Sequence, residues 1–317
     1  MEKIREDGRL ELAALWNRTP LKADEEEEKR NHLLKGVTIL EDFENLQVDL
    51  IVEVCHPAVI ASSGERLLQQ ADLLVGSSTS LVDDQLRGRL QETARAFGHR
   101  LIIGRGALWA ANDIHRMARQ GLLETVRVKM HFHPRSLRLP EDSPLKAVVD
   151  ELLLLKNSSE ESSSSKCDPV VLYSGPVRAV CPLAPNNVNT MATAALLGVG
   201  LDRTEGVLVA DPGLADHHRI EVEVRGVQRS GFSRPFSALS TRISPTSAES
   251  SVSSRQTLDA FWQSVLGEFN FGVLLHYSKL FFLVLFGRRP RRTGQPRSNT
   301  RLLVGFLVVE VEVEVGK

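Results

Sequence analysis

Two stretches of this chain are apolar from end to end, and they constrain its fold more than any other feature. "VDLIVEVCHP" (48–57) stops at Pro57, and "DLLVGSS" (72–78) follows one helical segment later. A strand that alternates can face water on one side. A strand without a polar face has to be covered on both, which points to a parallel sheet with helices on each face. The intervening segments supply such helices. "AVIASSGERLLQQA" (58–71) has helical spacing. In "STSLVDDQLRGRLQETARAFGHR" (78–100), Leu86, Leu90, Ala94 and Phe97 recur at three- and four-residue steps, and Gly98 is the stop. "LELAALWN" (10–17) and the start of "LIIGRGALW" (101–109) add strands. Residues 10–105 are therefore expected to form a doubly wound α/β sheet. Ligands bind such sheets at the carboxyl ends of the strands, here "WNR" (16–18), "CHP" (55–57), "GSS" (76–78) and "GRG" (104–106).

After residue 106 the periodicity changes. "ETVRVKMHFHP" (124–134) alternates, with Val126, Val128, Met130 and Phe132 on one face. "PVVLYSGPVRAV" (169–180) is strand-like and "RIEVEVRG" (219–226) alternates again. One-sided alternation predicts an open sheet, partly antiparallel or mixed. Between these strands lies a helix, "NNVNTMATAALLGVGL" (186–201), with Asn189 as its expected N-cap. Two Ser-rich stretches, 156–166 and 244–256, read as loops. An apolar run at 269–286 just reaches spanning length, but His276 and Lys279 interrupt it, which argues against a membrane helix. The last segment, "LLVGFLVVEVEVEVGK" (302–317), alternates like a strand.

The chain's 317 residues suffice for one large domain or two ordinary ones, and its net charge of −1 gives no case for nucleic acid or an anionic membrane as partner. Cys55, Cys167 and Cys181 form no CxxC pair and fit a reducing, cytoplasmic compartment. "MEKIREDGRLEL" lacks the apolar core of a signal peptide, so the sequons at Asn17 and Asn157 are expected to be unused.

The stretch "VADPGLADHHRIEVEV" (209–224) places two histidines at the mouth of an alternating strand. By parity His218 shares a face with Ile220, Val222 and Val224, and His217 shares the other with Arg219, Glu221 and Glu223. A histidine closing an apolar face is either a satisfied core residue or an acid/base. Asp211 is placed to orient it, or to begin a turn. His131 and His133 fall on the charged face of their strand, and with no third ligand evident no metal is expected. Arg105 and Arg178 are candidates for substrate carboxylates.

Through "ARAFGHRLIIGRGALWAANDI", "YSGPVRAVCPLAPNNVNTMATAAL" and "VADPGLADHHRIEVEV", the sequence resembles the L-aspartate dehydrogenase family, most closely its animal members, the aspartate dehydrogenase domain-containing proteins, from about residue 10 to 267. The resemblance implies a Rossmann-type domain (1–106), a catalytic and dimerisation domain (107–267) and an atypical tail (268–317). It further implies oxidation of L-aspartate to iminoaspartate with NAD or NADP, release of oxaloacetate and ammonia, and a homodimer. The family's acid/base histidine maps to His218, and cofactor contacts map to Gly106, Ala107 and Asn189. Asn17 and Arg18 end the strand that positions the adenosine ribose, and an Arg there suits a 2′-phosphate. His56 could line the nicotinamide pocket. One departure stands out: no G-x-G-x-x-G turn occurs anywhere in the chain. The first βα unit is expected to be missing, leaving apolar surface open at 10–16 and 48–54, against which the strand-like 302–316 could pair. That departure carries the alternative reading, a catalytically silent interaction protein.

Overall fold

The computed structural model describes residues 10–17, 35–106, 108–158, 168–246, 255–268 and 301–306. The acidic segment 24–34, most of both Ser-rich stretches, the apolar run 269–286 and residues 307–317 lie outside the described residues, as do Arg18 and Ala107.

The first half runs β1 (Glu11–Trp16), β2 (Thr38–Leu40), β3 (Leu50–Val54), α1 (Pro57–Leu68), β4 (Asp72–Val75), α2 (Asp84–Phe97) and β5 (Leu101–Ile103). The segment expected as one helix over 78–100 is two elements. Ser78–Val82 is a 3₁₀ turn, and Asp83 then caps α2 by accepting from the backbone N–H of Gln85 and Leu86. Helix α2 buries Leu86, Leu90 and Ala94 and ends at Gly98, whose φ of 73° is the left-handed conformation that glycine adopts without strain.

The second half runs α3 (Ala111–Arg119), β6 (Leu123–Phe132), α4 (Pro144–Ser158), β7 (Val170–Pro176), α5 (Val177–Val180), α6 (Asn189–Leu197), β8 (Glu205–Ala210), β9 (His217–Gly226) and β10 (Ser237–Pro245). Helix α7 (Arg255–Glu268) and strand β11 (Arg301–Phe306) follow.

The strands form two sheets. The first has six in the order β2-β1-β11-β3-β4-β5, every pairing parallel. Strand β11 sits between β1 and β3, with Val304 aligned to Leu15 on one side and to Val52 on the other. The expected opening at 10–16 and 48–54 is thus closed by the tail. Without it, the backbone donors and acceptors of β1 and β3 would face one another unpaired. Helices α1 and α2 cover one face, burying Ile60, Leu67, Leu68 and Leu90 against Ile51, Leu73 and Val75. On the other face α7 packs Val265 and Leu266 against Leu12, Leu50, Val52 and Leu74.

The second sheet is mixed, in the order β10-β9-β6-β8-β7. Strand β6 is parallel to β8 and antiparallel to β9, which is antiparallel to β10. Its inner face buries Val126, Val128, Met130, Phe132, Ile220, Val222 and Val224 with residues of α3, α5 and α6. Among the described residues no helix is long and apolar enough to cross a membrane.

Candidate functional site

Strand alternation puts His218 on the inner face of β9, where it is 3% exposed. Its ring lies edge-on to Phe132, centroids 4.7 Å apart. Among the described residues neither Nδ1 nor Nε2 has a hydrogen-bond partner. Burial, then the positive charge of Arg242, then His217, push the imidazole pKa down to about 4. His218 is therefore a neutral ring at pH 7 with a donor and an acceptor both uncommitted, a costly state for a purely structural group. His217 points the other way, half-exposed, its Nδ1 2.6 Å from Asp216 Oδ1.

Asp211 does not orient His218. Its carboxylate accepts from Gly213 N–H at 3.0 Å and lies 3.8 Å from His131 Nδ1, on the opposite face of the sheet. His131, buried at 2% exposure, accepts from Arg219 Nη2 at 3.0 Å. His133 caps the 3₁₀ turn Pro134–Ser136 through Nδ1. His131 and His133 thus each have a structural partner, and no group of three His, Cys, Asp or Glu residues that could hold a metal ion occurs among the described residues.

A polar seam joins the carboxyl end of β4 to the start of α6. Thr79 N–H donates to Asn189 Oδ1 at 3.1 Å, Thr79 Oγ1 donates to the carbonyl of Pro185 at 3.0 Å, and the Ser78 and Thr193 hydroxyls lie 2.7 Å apart. The cap of α6 is Val188, so Asn189 is its first helical residue and its side chain turns to the seam instead of back on its own helix. Asn187 is structural: it accepts from Arg138 N–H at 2.8 Å and donates to Ser136 O at 3.0 Å. Arg178 is no free carboxylate binder, for Asp202 takes its Nε and Nη2, Asp84 lies 3.1 Å from Nη1, and Val82 O accepts from Nη1.

At the neighbouring strand end Glu53, 3% exposed, accepts from Cys55 N–H at 2.7 Å, Ser77 N–H at 3.0 Å and Ser77 Oγ at 2.9 Å. Burial raises its pKa against these bonds, which pull it down. This buried carboxyl sets the shape of the β3 and β4 ends. The sequence carries a weak sign of it, a lone acid inside an apolar strand. His56 caps α1, its Nδ1 accepting from Ala58 N–H at 3.1 Å. Gly106, just past β5, has a φ of 46°. Asn17 ends β1, three strand spacings from β4 in the sheet order, roughly 14 Å. On the other side of His218 the sequence reading missed β10, which sets Ser244 directly opposite His218 and Arg242 opposite Ile220.

The residues present fit a dinucleotide in part. The seam at Thr79 and Asn189 and the positive φ of Gly106 suit the nicotinamide end. The pyrophosphate end differs, because the strand in the position that carries the glycine turn is β11, and "LVVEVEVEVGK" follows it with three glutamates and no G-x-G-x-x-G.

Residues 113–264 match the family described as aspartate dehydrogenase, C-terminal, and residues 1–104 match the homoserine dehydrogenase NAD binding domain. The chain is 40% identical over 271 residues to an aspartate dehydrogenase domain-containing protein of Xenopus tropicalis, covering 84% of this chain and 88% of that protein. An L-aspartate dehydrogenase 2 of Bordetella bronchiseptica is 31% identical over 176 residues, 55% of this chain and 60% of that protein. The crystal structure of aspartate dehydrogenase from Thermotoga maritima superposes with a TM-score of 0.54 at 16% identity, covering 86% of this chain and all of that one, which shows a shared fold. With a Rossmann-type sheet, a mixed-sheet partner and relatives of this kind, the chain has the architecture of an oxidoreductase that uses NAD or NADP, and it belongs to the aspartate dehydrogenase family.

Proposed function

We propose that the chain oxidises L-aspartate to iminoaspartate with NAD or NADP and that the imine is hydrolysed to oxaloacetate and ammonia. The observation that carries the reading is His218, buried on an apolar sheet face with both ring nitrogens uncommitted. Bound nicotinamide supplies the acceptor for the hydride leaving the substrate α-carbon. His218 takes the proton from the substrate ammonium, freeing the lone pair that forms the C=N bond. After that proton has been released to solvent, the neutral ring takes a proton from the water that adds to the iminium carbon and returns it to the nitrogen that leaves as ammonia. Negative charge brought in by the substrate opposes the Arg242 cation and raises the imidazole pKa toward the working range. Asn17 and Arg18 are assigned to the adenosine ribose, and His56, Gly106, Ala107 and Asn189 to the nicotinamide end. The domain boundary is assigned near residue 106.

His218→Ala tests the reading. Turnover of L-aspartate is expected to fall about 10²–10⁴-fold while cofactor affinity stays within a few fold. Turnover near that of the unsubstituted chain would overturn it.

The glutamate-rich sequence after β11 favours a second reading, an interaction protein without turnover. Calorimetric titration with NAD and NADP separates the two. No detectable binding favours the silent protein; micromolar affinity means that other residues cradle the phosphates. A cytoplasmic homodimer fits either reading, because Val171, Leu239 and Ile243 are exposed on the outer face of the second sheet. Sedimentation at two concentrations tests it.

A further inference from the structure

We infer that Ser244, on β10, holds together with His218 the water molecule that adds to the iminium carbon, as a positioning residue for the hydrolytic half of the reaction. The inference rests on the dehydrogenase reading and separates two steps of that reaction by the residues each one needs.

Antiparallel pairing sets Ser244 directly opposite His218. Residues paired in this way have Cα atoms about 4.5–5.5 Å apart and share a face of the sheet. Both are buried, Ser244 at 2% exposure and His218 at 3%. Three polar atoms therefore meet at one place, the Ser244 hydroxyl and the two ring nitrogens of His218. None of them has a hydrogen-bond partner among the described residues, so the pair does not bond to itself. Leaving two such groups side by side in an apolar interior is costly, and one water, with its two to four hydrogen bonds, satisfies both. The walls are apolar: Phe132 stands edge-on to the ring at 4.7 Å, and Ile220 is the next inward residue of β9. Arg242, the neighbouring inward side chain of β10, is already engaged and has no part in the pair. A neutral ring and a hydroxyl suit a small neutral ligand. The serine is also rigidly placed. Pro245 keeps the residue before it extended, and just beyond it Thr246 N–H donates to Asp216 O at 2.8 Å.

A water that is to attack carbon needs its two protons held and a lone pair left over. A ring nitrogen of His218 accepts one proton, Ser244 Oγ accepts the other, and the remaining lone pair faces the iminium carbon. As the C–O bond forms, the π pair of the C=N bond moves to nitrogen and the first proton passes to the ring. The serine takes no proton for itself, so its contribution is the orientation of the water. Position along the sheet agrees with this. The 3₁₀ turn Ser78–Val82 packs on α6, and α6 lies on β6. Strand β10 is on the far side of β9 from β6, so the water sits on the side of His218 away from the first sheet. Removal of the proton from the substrate ammonium uses His218 without Ser244. The hydroxyl therefore belongs to the second step alone.

Ser244→Ala and Ser244→Cys weaken or remove the acceptor, and Ser244→Thr keeps it. Each is made in the full chain, rapidly mixed with L-aspartate and cofactor, and its thermal midpoint recorded. In Ser244→Ala the first turnover of reduced cofactor is expected within about twofold of the unsubstituted chain, while hydrolysis on the protein slows about tenfold or more. A burst of reduced cofactor matching the chain concentration should then precede a slow steady state. Imine that escapes before hydrolysis is counted as D-aspartate after trapping with cyanoborohydride, against the unsubstituted chain at equal oxaloacetate. Ser244→Thr should restore the original partition. The midpoint of Ser244→Ala should not fall, because no hydrogen bond within the protein is lost. A purely structural role would lower the midpoint and slow both steps alike. Equal losses in both steps, or neither a burst nor extra D-aspartate in Ser244→Ala, would overturn the inference. Should that variant not fold, Ser244→Cys carries the same test. A crystal structure of the unliganded chain gives a readout apart from turnover. A water within hydrogen-bond distance of both Ser244 Oγ and a His218 ring nitrogen is expected, and its absence would overturn the inference. If the unsubstituted chain does not turn over aspartate, the dehydrogenase reading fails, while the crystal structure still decides whether the pair holds a water.

Discussion

The two sheets of this molecule are assembled in different ways. The second draws its five strands from one stretch, Leu123 to Pro245, and carries His218 at the start of β9, next to the edge strand β10. The first takes a central strand from Arg301–Phe306, far along the chain from both strands that flank it. Loop closure costs rise only logarithmically with length, so recruiting a distant strand is not forbidden. What the slot demands is backbone pairing on two sides, and an apolar alternating segment can provide that without carrying the turn that would follow a resident strand. The histidine-bearing sheet is complete in its own sequence. The cofactor-binding sheet is complete in its hydrogen bonds and lacks the glycine turn.

Breaking the borrowed strand should have the largest effect. Proline at Val304 removes a donor from a strand paired on both edges, which sheets tolerate only at their margins. The expected loss is on the order of 3 kcal/mol or more. Hydrogen exchange should then speed up at β1 and β3 while β6, β8 and β9 keep their protection. Unchanged protection at β1 and β3 would mean that the tail does not hold the first sheet together.

Acid should divide the two sheets with opposite sign. The folded-state pKa of His218 is depressed to about 4, so between about 6.5 and about 4 the unfolded chain takes up a proton that the folded chain refuses. Stability falls as pH drops through that window, by on the order of 3 kcal/mol from this residue. His131 is displaced in the same direction by burial and adds to the slope. Glu53, in the first sheet, has a raised folded-state pKa, so its contribution is lost as pH rises above the ordinary carboxyl range. Denaturant unfolding across this range should give a shallower acid slope for His218→Asn, and an unaltered slope would refute the assignment.

The seam between the sheets should respond more weakly. Thr79→Val removes hydroxyl contacts to Pro185 O and Asn189 Oδ1 and is expected to cost about 1 kcal/mol. Unfolding followed by probes in each sheet should then separate into two transitions. A single transition with the original midpoint would mean that the contacts left in place, Ser78–Thr193, Thr79 N–H to Asn189 and Arg178 with its aspartates, suffice to couple the halves.

Legibility followed hydrophobic pattern. Strands β3 and β4 were readable because a parallel sheet needs apolar residues on both faces, and α2 because its buried positions keep helical spacing up to Gly98. The face of His218 was readable from the alternation of Ile220, Val222 and Val224. Strand β10 was not, because its pattern is inverted: Leu239 and Ile243 face outward, and Ser240, Arg242 and Ser244 face inward. The strand character of the tail was visible, but its place in the sheet was not, since backbone pairing leaves little mark on side-chain chemistry. Of the two readings of Asp211 the turn start holds, its carboxylate accepting from Gly213 N–H, and the orienting role does not, because nearness in sequence says nothing about which face a side chain occupies.

The smallest effect is expected from His217, and it sharpens the contrast between the two faces of one strand. His217 and His218 are consecutive in β9, yet one is half-exposed beside Asp216 and the other is buried against Phe132. The Asp216 carboxyl is held below its usual range by the His217 contact, but the pair is open to water, where such ion pairs stabilise little. His217→Ala should therefore leave the thermal midpoint unresolved from that of the unsubstituted chain. It should also leave kcat for aspartate within about twofold, since the proposed mechanism passes no proton through this ring. One trace is expected. His217 contributes, after burial and Arg242, to holding the His218 pKa down, so its removal should raise that pKa slightly and move the acid limb of the rate profile in the same direction. A loss of turnover matching that of His218→Ala would show that the outward face of β9, not the inward one, holds the acid/base.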